Sequence, residues 1–494
     1  MPVIRTLPAI LGSLALTILG GVLFYFTEDP FSLLFNAGLV FMVGGLLLAL
    51  LLASLAFVRS SRRSSQALGY FGAGTVALLV VVLLVAAFNY RVFFFHRLSK
   101  EEWRQDLKYL AEAIPRTHPN PFGRVKREDF QKAVEEFDRQ IPALTDNQIA
   151  VRLVRLVALL EDGHSNLIPF QPATGFRMLP LRVYLFSDGV YVTDAVSPYR
   201  NLIGRRLVRI GNTHTDRAFE ILKPLVGADN EWTVKDRLPH YLLCPEILQA
   251  AGIIADAERA PFNFENDRGE SIWVSLRPVS LISYFYWQFK PLEQWKYKPA
   301  IDPHTPLYRR NLWDNYWFTY LEPSKTLYLA FNQVRDKRDE TIDQFGRRLI
   351  AFAGSHPVER FVIDIRNNSG GDNTLFRTFV DELGRSDLNK KGRLFTLIGR
   401  HTFSAAVNFT SSMENKTQTV FVGEPTGAGP NHYGDHRHIT LPNSKIVVFI
   451  SSRYHEFGDP HDARRAYEPQ VPVAVSHRDY FSSRDPVLEA ALQY

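Results

Sequence analysis

Three uncharged apolar runs near the start of the chain, residues 8–26, 33–58 and 69–88, limit what it can fold into more than any other feature. Each reaches the roughly 20 residues that a helix needs to cross a hydrocarbon core. The expectation is a three-helix transmembrane segment over residues 1–98. The first run has no small-x-small cleavage site and two more runs follow it, so it reads as a retained span rather than a removed leader. Arg59, Arg62 and Arg63 lie between runs two and three, whereas the loop between runs one and two carries Glu28 and Asp29. The basic loop should face the cytoplasm, and Arg5 agrees. Arg91, Arg97 and Lys100 run against this bias at the other end. On balance the third run leads outward and places the rest of the chain outside the cytoplasm, as a multi-pass protein of a bacterial plasma membrane.

The remainder has the mixed composition of a globular protein. Five basic and two acidic residues precede Phe95; taking them from the chain's 57 and 51 leaves 52 and 49. So even a balance gives no nucleic-acid footprint, whatever the basic N-terminal part does to the whole-chain charge. The single cysteine, Cys244, excludes an intramolecular disulfide and a cysteine-based zinc site. Its apolar surroundings, Leu242–Leu243–Cys244–Pro245, read as a buried structural thiol.

Helical spacing fits residues 101–114 through Trp103, Leu107, Leu110 and Ile114, and residues 127–141 through Phe130, Val134, Phe137 and Ile141. A third helix over 147–160 follows Thr145 as N-cap and runs into Asp162–Gly163–His164–Ser165, where Gly163 is expected to turn the chain. Short strands are expected at 183–186, 190–192 and 207–210. The aromatic clusters at 284–287 and 313–320 read as core packing. From Thr326 onward strands and helices alternate: strands at 327–331, 361–365, 393–398 and 419–422, helices at 341–353, 375–383 and 405–413. That order predicts a largely parallel sheet covered by helices, with chemistry at the C-terminal ends of its strands.

Two such ends carry candidate residues. The strand at 361–365 enters Arg366–Asn367–Asn368–Ser369–Gly370–Gly371–Asp372, and paired glycines let backbone N–H groups approach a ligand. A tight turn without a ligand fits the same pair. The strand at 393–398 leads to Ser404 at the start of a helix. Ser404 reads either as an N-cap or as a nucleophile aided by the helix N-terminus. A serine nucleophile needs a base, and His164 at its turn is one candidate among 14 histidines.

The ordered set of motifs resembles the C-terminal processing (tail-specific) peptidase superfamily, and within it the tricorn-like branch. The segments are Asp162–Gly163–His164–Ser165, the run from Phe361 to Gly371, Phe403–Ser404–Ala405–Ala406, Val422–Gly423–Glu424–Pro425–Thr426–Gly427, and the tail from Pro469 to Val473 with Arg484–Asp485–Pro486–Val487–Leu488. The resemblance covers residues 320–490 with an outlier near 150–166. It implies an acylating Ser404, an oxyanion hole from the N–H of Ala405 with that of Gly370 or Gly371, and His164 as base with Ser165 beside it. The segment after Gly423 has no lysine, which speaks against the Ser–Lys dyad of the processing peptidases. The acid that orients the base is placed at Asp462, one residue from the aligned position, with Glu424, Asp435 and Glu468 as alternatives.

The implied architecture is α/β: the membrane segment (1–98), a helical subdomain carrying the His turn (99–170), a β-rich and degenerately PDZ-like region (171–310), and a serine peptidase core (311–494). The expected activity is hydrolysis of peptide or protein substrates by a membrane-anchored serine peptidase that contacts lipid through three spans. No cofactor, metal or nucleic acid is expected. A catalytically idle protein of the same fold, binding a peptide or apolar ligand as a membrane sensor, is the alternative. The loop with His432, Asp435, His436 and His438, with His455 and His461 nearby, offers zinc-type donors but no metalloprotease spacing.

Overall fold

Residues 98–289 and 304–494 are described by the computed structural model of the chain. The three apolar runs, and the orientation and lipid contact drawn from them, lie outside the described residues. Among the described residues no helix is long and apolar enough to cross a membrane.

Helix α1 (Lys100–Thr117) opens on a capping box between Ser99 and Glu102 and buries Trp103, Leu107, Leu110 and Ile114 as one stripe. Helix α2 (Arg127–Gln140) buries Phe130 and Phe137. Helix α3 (Asp146–Ala158) starts at the expected cap, Thr145, boxed with Gln148. A mixed region follows. Strands β1 (Leu181–Phe186), β2 (Gly189–Ala195), β3 (Arg206–Ile210) and β4 (Thr213–His214) precede helices α4 (Thr215–Leu222), α5 (Glu231–Tyr241) and α6 (Pro245–Ala250), and then come β5 (Ala260–Glu265) and β6 (Ser271–Leu276). The strands form an antiparallel sheet in the order β1-β2-β3-β5-β6, with β4 on β3. Cys244 is buried at the start of α6. Residues 196–198 and 279–289 group apart from the rest, and the latter contain helix α7 (Leu281–Phe289).

The second sheet is the one the alternating pattern predicts. Strands β7 (Tyr316–Leu321) and β8 (Thr326–Phe331) pair antiparallel. Helix α8 (Ile342–Ser355), strand β9 (Arg360–Asp364), helix α9 (Arg377–Arg385), strand β10 (Leu394–Ile398), helix α10 (Ala405–Lys416) and strand β11 (Val420–Gly423) then alternate. Two hairpin-like pairs, β12 (Asn431–Gly434) with β15 (Arg453–Glu456) and β13 (Arg437–Thr440) with β14 (Val447–Ile450), precede β16 (Val471–Pro472), α11 (His477–Phe481) and α12 (Pro486–Gln493). The order is β16-β11-β10-β9-β8-β7, and every neighbour from β8 to β16 is parallel.

Successive residues of these strands feed opposite faces. Leu327, Leu329, Phe361, Ile363, Leu394 and Phe421 pack with Phe345, Leu349, Phe379, Leu383 and Phe409 of α8, α9 and α10. Tyr328, Val362, Phe395, Leu397 and Val422 pack with Val487, Leu488 and Ala491 of α12. Burial on both faces explains why these strands read as unbroken apolar runs. Beneath the second face Arg366 bridges Asp364 and Asp485 with both sides of its guanidinium.

Candidate active site

The chain leaves β10 at Ile398 and turns before α10 begins at Ala405. Thr402 closes that turn: its N–H donates to Gly399 O at 2.8 Å, its Oγ1 accepts from Gly399 N–H at 3.1 Å and donates to Ile365 O at 3.0 Å. Ser404 then adopts φ 54° and ψ −128°, outside the regions L-residues occupy comfortably. It stands where an N-cap stands, but its hydroxyl makes no cap bond. Ser99, Thr145, Thr341 and Ser476 all do cap their helices. The capping reading of Ser404 therefore fails on geometry, and its half-buried hydroxyl has no hydrogen-bond partner among the described residues.

The glycine pair after β9 presses against this serine. A Cβ on Gly370 would lie 2.7 Å from Ser404 Cβ and 2.9 Å from Ala405 N, and Gly370 has φ +111°. Only glycine tolerates that approach. Asn368 fixes the loop: its Oδ1 accepts Gly370 N–H at 2.9 Å, its Nδ2 donates to Phe331 O at 2.8 Å, and its carbonyl accepts Phe403 N–H at 3.2 Å. This commits the N–H of Gly370, which the sequence left as one of two oxyanion donors. Among the described residues the N–H groups of Gly371 and Ala405 make no hydrogen bond.

His164 reaches the same place from a segment 240 residues earlier. Its ring stacks on Phe403, the residue before Ser404, with centroids 4.4 Å apart, and lies 5.7 Å from the nearly parallel ring of His432. No hydrogen bond joins His164 to Ser404 Oγ. The turn that carries it is docked on the end of β14, where Asn166 and Phe449 exchange backbone bonds at 2.9 Å. Ser165 Oγ accepts Ser451 N–H at 2.9 Å, so this serine anchors the turn rather than offering a second hydroxyl. Gly163 has no positive φ; the left-handed residue of the turn is Glu161 at φ 49°. The glycine serves for space, since a Cβ there would meet Asp229 Oδ2 at 2.6 Å and the Phe403 ring at 2.8 Å.

Two buried carboxylates flank the imidazole. Asp162 Oδ1 accepts His164 N–H at 2.9 Å, and Oδ2 accepts Ser451 Oγ at 2.6 Å and His118 Nε2 at 3.2 Å. His118 Nδ1 accepts Asn120 N–H, which leaves its proton on Nε2 for Asp162. Burial alone would raise the Asp162 pKa, but these donors and the nearby His164 hold it well below the usual carboxylate range. Asp229 precedes Asn230, the N-cap of α5, whose Nδ2 also donates to Thr426 O at 3.0 Å. Burial, with Asp162 close by, pushes Asp229 up to about 7, while Arg124 and Arg237 pull the other way. Burial and the neighbouring His432 lower His164 to about 3. No sequence signal marks Asp229: Gly227–Ala228–Asp229–Asn230 reads as an ordinary loop ahead of a helix.

The acids weighed from sequence are engaged elsewhere. Asp462 is held by Arg464 at 2.7 Å, and that arginine also grips Glu414. Glu424 pairs with Arg400 at 2.6 and 2.8 Å. Asp435 faces Arg453 and His455 on the β12–β15 side, and Glu468 is exposed. As for metals, a ring nitrogen of His164 and one oxygen each of Asp162 and Asp229 lie within 4.8 Å of one another. Arg124 stands 3.6 Å from Asp229, and Arg237 donates to Gly163 O and Gly227 O beside them. Two guanidinium groups already supply the cationic charge there, so a divalent ion would meet repulsion. His432 turns Nδ1 to Gly429 O, and His436 stacks on His438 over Phe449.

No protein-family model matches the sequence, and no characterised protein matches it by sequence. Solved structures do match in shape. Mature CPAF complexed with lactacystin superposes with a TM-score of 0.57 at 12% identity, over 80% of this chain and 98% of that one. The chain has the CPAF fold. Mature CPAF alone gives a TM-score of 0.56 at the same identity, over 80% of this chain and 97% of that one. Tricorn protease matches with a TM-score of 0.37 at 14% identity, over 80% of this chain and 36% of its own, too slight a likeness to argue from.

Proposed function

We propose that this chain is a serine peptidase in which Ser404 is the nucleophile and His164 the general base. The observation that carries the reading is Ser404 itself. It sits at a helix N-terminus on strained backbone, with its hydroxyl left free where four comparable residues cap. Strain kept at a strand-to-helix turn is what presents a nucleophile to a substrate. The CPAF fold and the motif resemblance support the same reading.

In this mechanism Ser404 Oγ attacks a peptide carbonyl carbon and its proton passes to Nε2 of His164. The carbonyl oxygen becomes an oxyanion between the N–H groups of Ala405 and Gly371, and the positive end of α10 favours the charge. The imidazolium protonates the leaving amine, and water enters by the reverse path. His164 rests on Phe403 without a hydrogen bond to Ser404, and in this mechanism the pair closes when substrate fills the cleft; catalytic hydrogen bonds are commonly loose before then. The apolar runs of residues 1–98 serve as the anchor in this reading and set the domain outside the cytoplasm.

The test is labelling of the purified full chain by a fluorophosphonate and, separately, by lactacystin, the compound bound in the CPAF complex. Labelling on Ser404, lost in Ser404→Ala and reduced at least about 100-fold in His164→Ala, is expected. A folded chain that never labels is instead the idle binding protein.

A further inference from the structure

We infer that Asp229 orients the catalytic imidazole, as the acceptor for Nδ1–H of His164. The inference rests on the peptidase reading of Ser404 and His164. A histidine base works only when its second ring nitrogen is held, because that bond fixes the tautomer and steadies the imidazolium. His164 Nδ1 is buried and has no hydrogen-bond partner. Asp229 is 1% exposed, and its Oδ1 is likewise buried without a hydrogen bond. One orphaned ring nitrogen and one orphaned carboxylate oxygen thus belong to side chains whose ligand atoms cluster within 4.8 Å. Buried polar groups are ordinarily paired, and a pair of leftovers in one place marks a bond made in another state of the site.

Elimination leads to the same residue. Asp162, the other carboxylate in reach, uses both oxygens on His164 N–H, Ser451 and His118. Asp229 Oδ2 accepts Gly163 N–H at 3.2 Å, which aims the carboxylate across the His turn. The nearest cation to Oδ1, Arg124, is at 3.6 Å and too far to satisfy it as a hydrogen-bond donor. The absence of a side chain on Gly163 is what lets Asp229 approach at all.

Proton placement then balances. Before attack Nδ1 carries the imidazole proton and Nε2 is free to accept. The Ser404 proton moves to Nε2, and the resulting imidazolium is neutralised by ionised Asp229. The groups facing this pair are Asp162, His118 and His432 together with Arg124 and Arg237, with His436 farther out. Labelling of Ser404 should therefore increase as pH rises through about 7, where Asp229 ionises.

The experiment has two arms. In the first, the rate of fluorophosphonate labelling of the full chain is followed against pH for wild type, Asp229→Asn, Asp229→Glu and Asp462→Asn. Asp229→Asn should slow labelling by about 10²- to 10⁴-fold and flatten the rise near neutrality, with partial recovery in Asp229→Glu. An unchanged rate and profile in Asp229→Asn, or a larger loss in Asp462→Asn, overturns the assignment. The second arm needs no activity. Histidine-selective ¹⁵N spectra of wild type, with His164 identified by its loss in His164→Gln, should show a proton on Nδ1. A proton on Nε2 alone overturns the assignment even if Ser404 labels. A chain that fails to label but keeps the Nδ1 proton refutes the peptidase reading while leaving this contact standing.

Discussion

Replacing Gly163 by alanine tests the site through one methyl group. The backbone there is ordinary, so alanine meets no conformational penalty, and the whole effect is steric. The new Cβ would lie 2.6 Å from Asp229 Oδ2 and 2.8 and 2.9 Å from two atoms of the Phe403 ring. These are about 0.5–0.8 Å inside comfortable contact, and neither neighbour yields freely. Asp229 is bonded to Gly163 N–H itself, and the Phe403 ring carries His164 and lies 5.0 Å beneath Arg237. Overpacking of this kind costs about 1–3 kcal/mol. Loss of unfolded-state freedom on going from Gly to Ala offsets about 0.4–1 kcal/mol of that. The expected net loss is about 0–2.6 kcal/mol, with a fall in Ser404 labelling larger than the fall in stability explains. Gly354→Ala is the control, because a Cβ there meets nothing within 4 Å on helix α8 and should stabilise by about 0.5–1 kcal/mol. Thermal unfolding followed by near-ultraviolet circular dichroism, with labelling rates in parallel, reads both. If Gly163→Ala melts and labels like Gly354→Ala, the packing of the His turn against Asp229 and Phe403 is not what holds the site.

Three further outcomes are expected. Asp229, with its pKa raised to about 7 by burial, binds an extra proton in the fold between pH 4 and 7, so its contribution falls as pH rises there. His164, lowered to about 3 by burial, lacks a proton that the unfolded chain takes up below pH 6.5, so its contribution is lost as pH falls. The two slopes oppose in wild type; His164→Gln should unmask a decline with rising pH and Asp229→Asn a gain, each up to about 1.4 kcal/mol per pH unit in denaturation series. Arg366→Ala should destabilise by about 3–5 kcal/mol in the same measurement, because it strands Asp364 and Asp485 as buried carboxylates. Asn368→Ala should cost about 2–4 kcal/mol and weaken labelling, since it frees the Gly370 loop from β8 and leaves two backbone groups unpaired.

The parallel sheet was legible because its strands are buried on both faces: the expected 327–331 and 361–365 became Thr326–Phe331 and Arg360–Asp364. Thr145 and Thr341 mark helix starts by chemistry that acts within four residues, which is why they read directly. The site was legible only where the motif resemblance reached. The motifs name Ser404 and His164 for the proposed mechanism but no orienting acid, because the carboxylate of Asp462 belongs to Arg464. Asp229 owes its place to tertiary packing of α5 against the His turn, which leaves no local pattern. Gly163 shows the same limit: a glycine after a helix suggests a left-handed turn, while its actual constraint comes from side chains 66 and 240 residues away.

On the peptidase reading, the docking of the His turn on Phe449 and Ser451 bears on when the chain could first act. During synthesis His164 and Ser404 both emerge well before β14 does. A growing polypeptide that stops short of Ser451 carries Ser404 and His164 but lacks the surface against which the His turn is braced. On the peptidase reading, competence would thus arrive only with the last tenth of the chain.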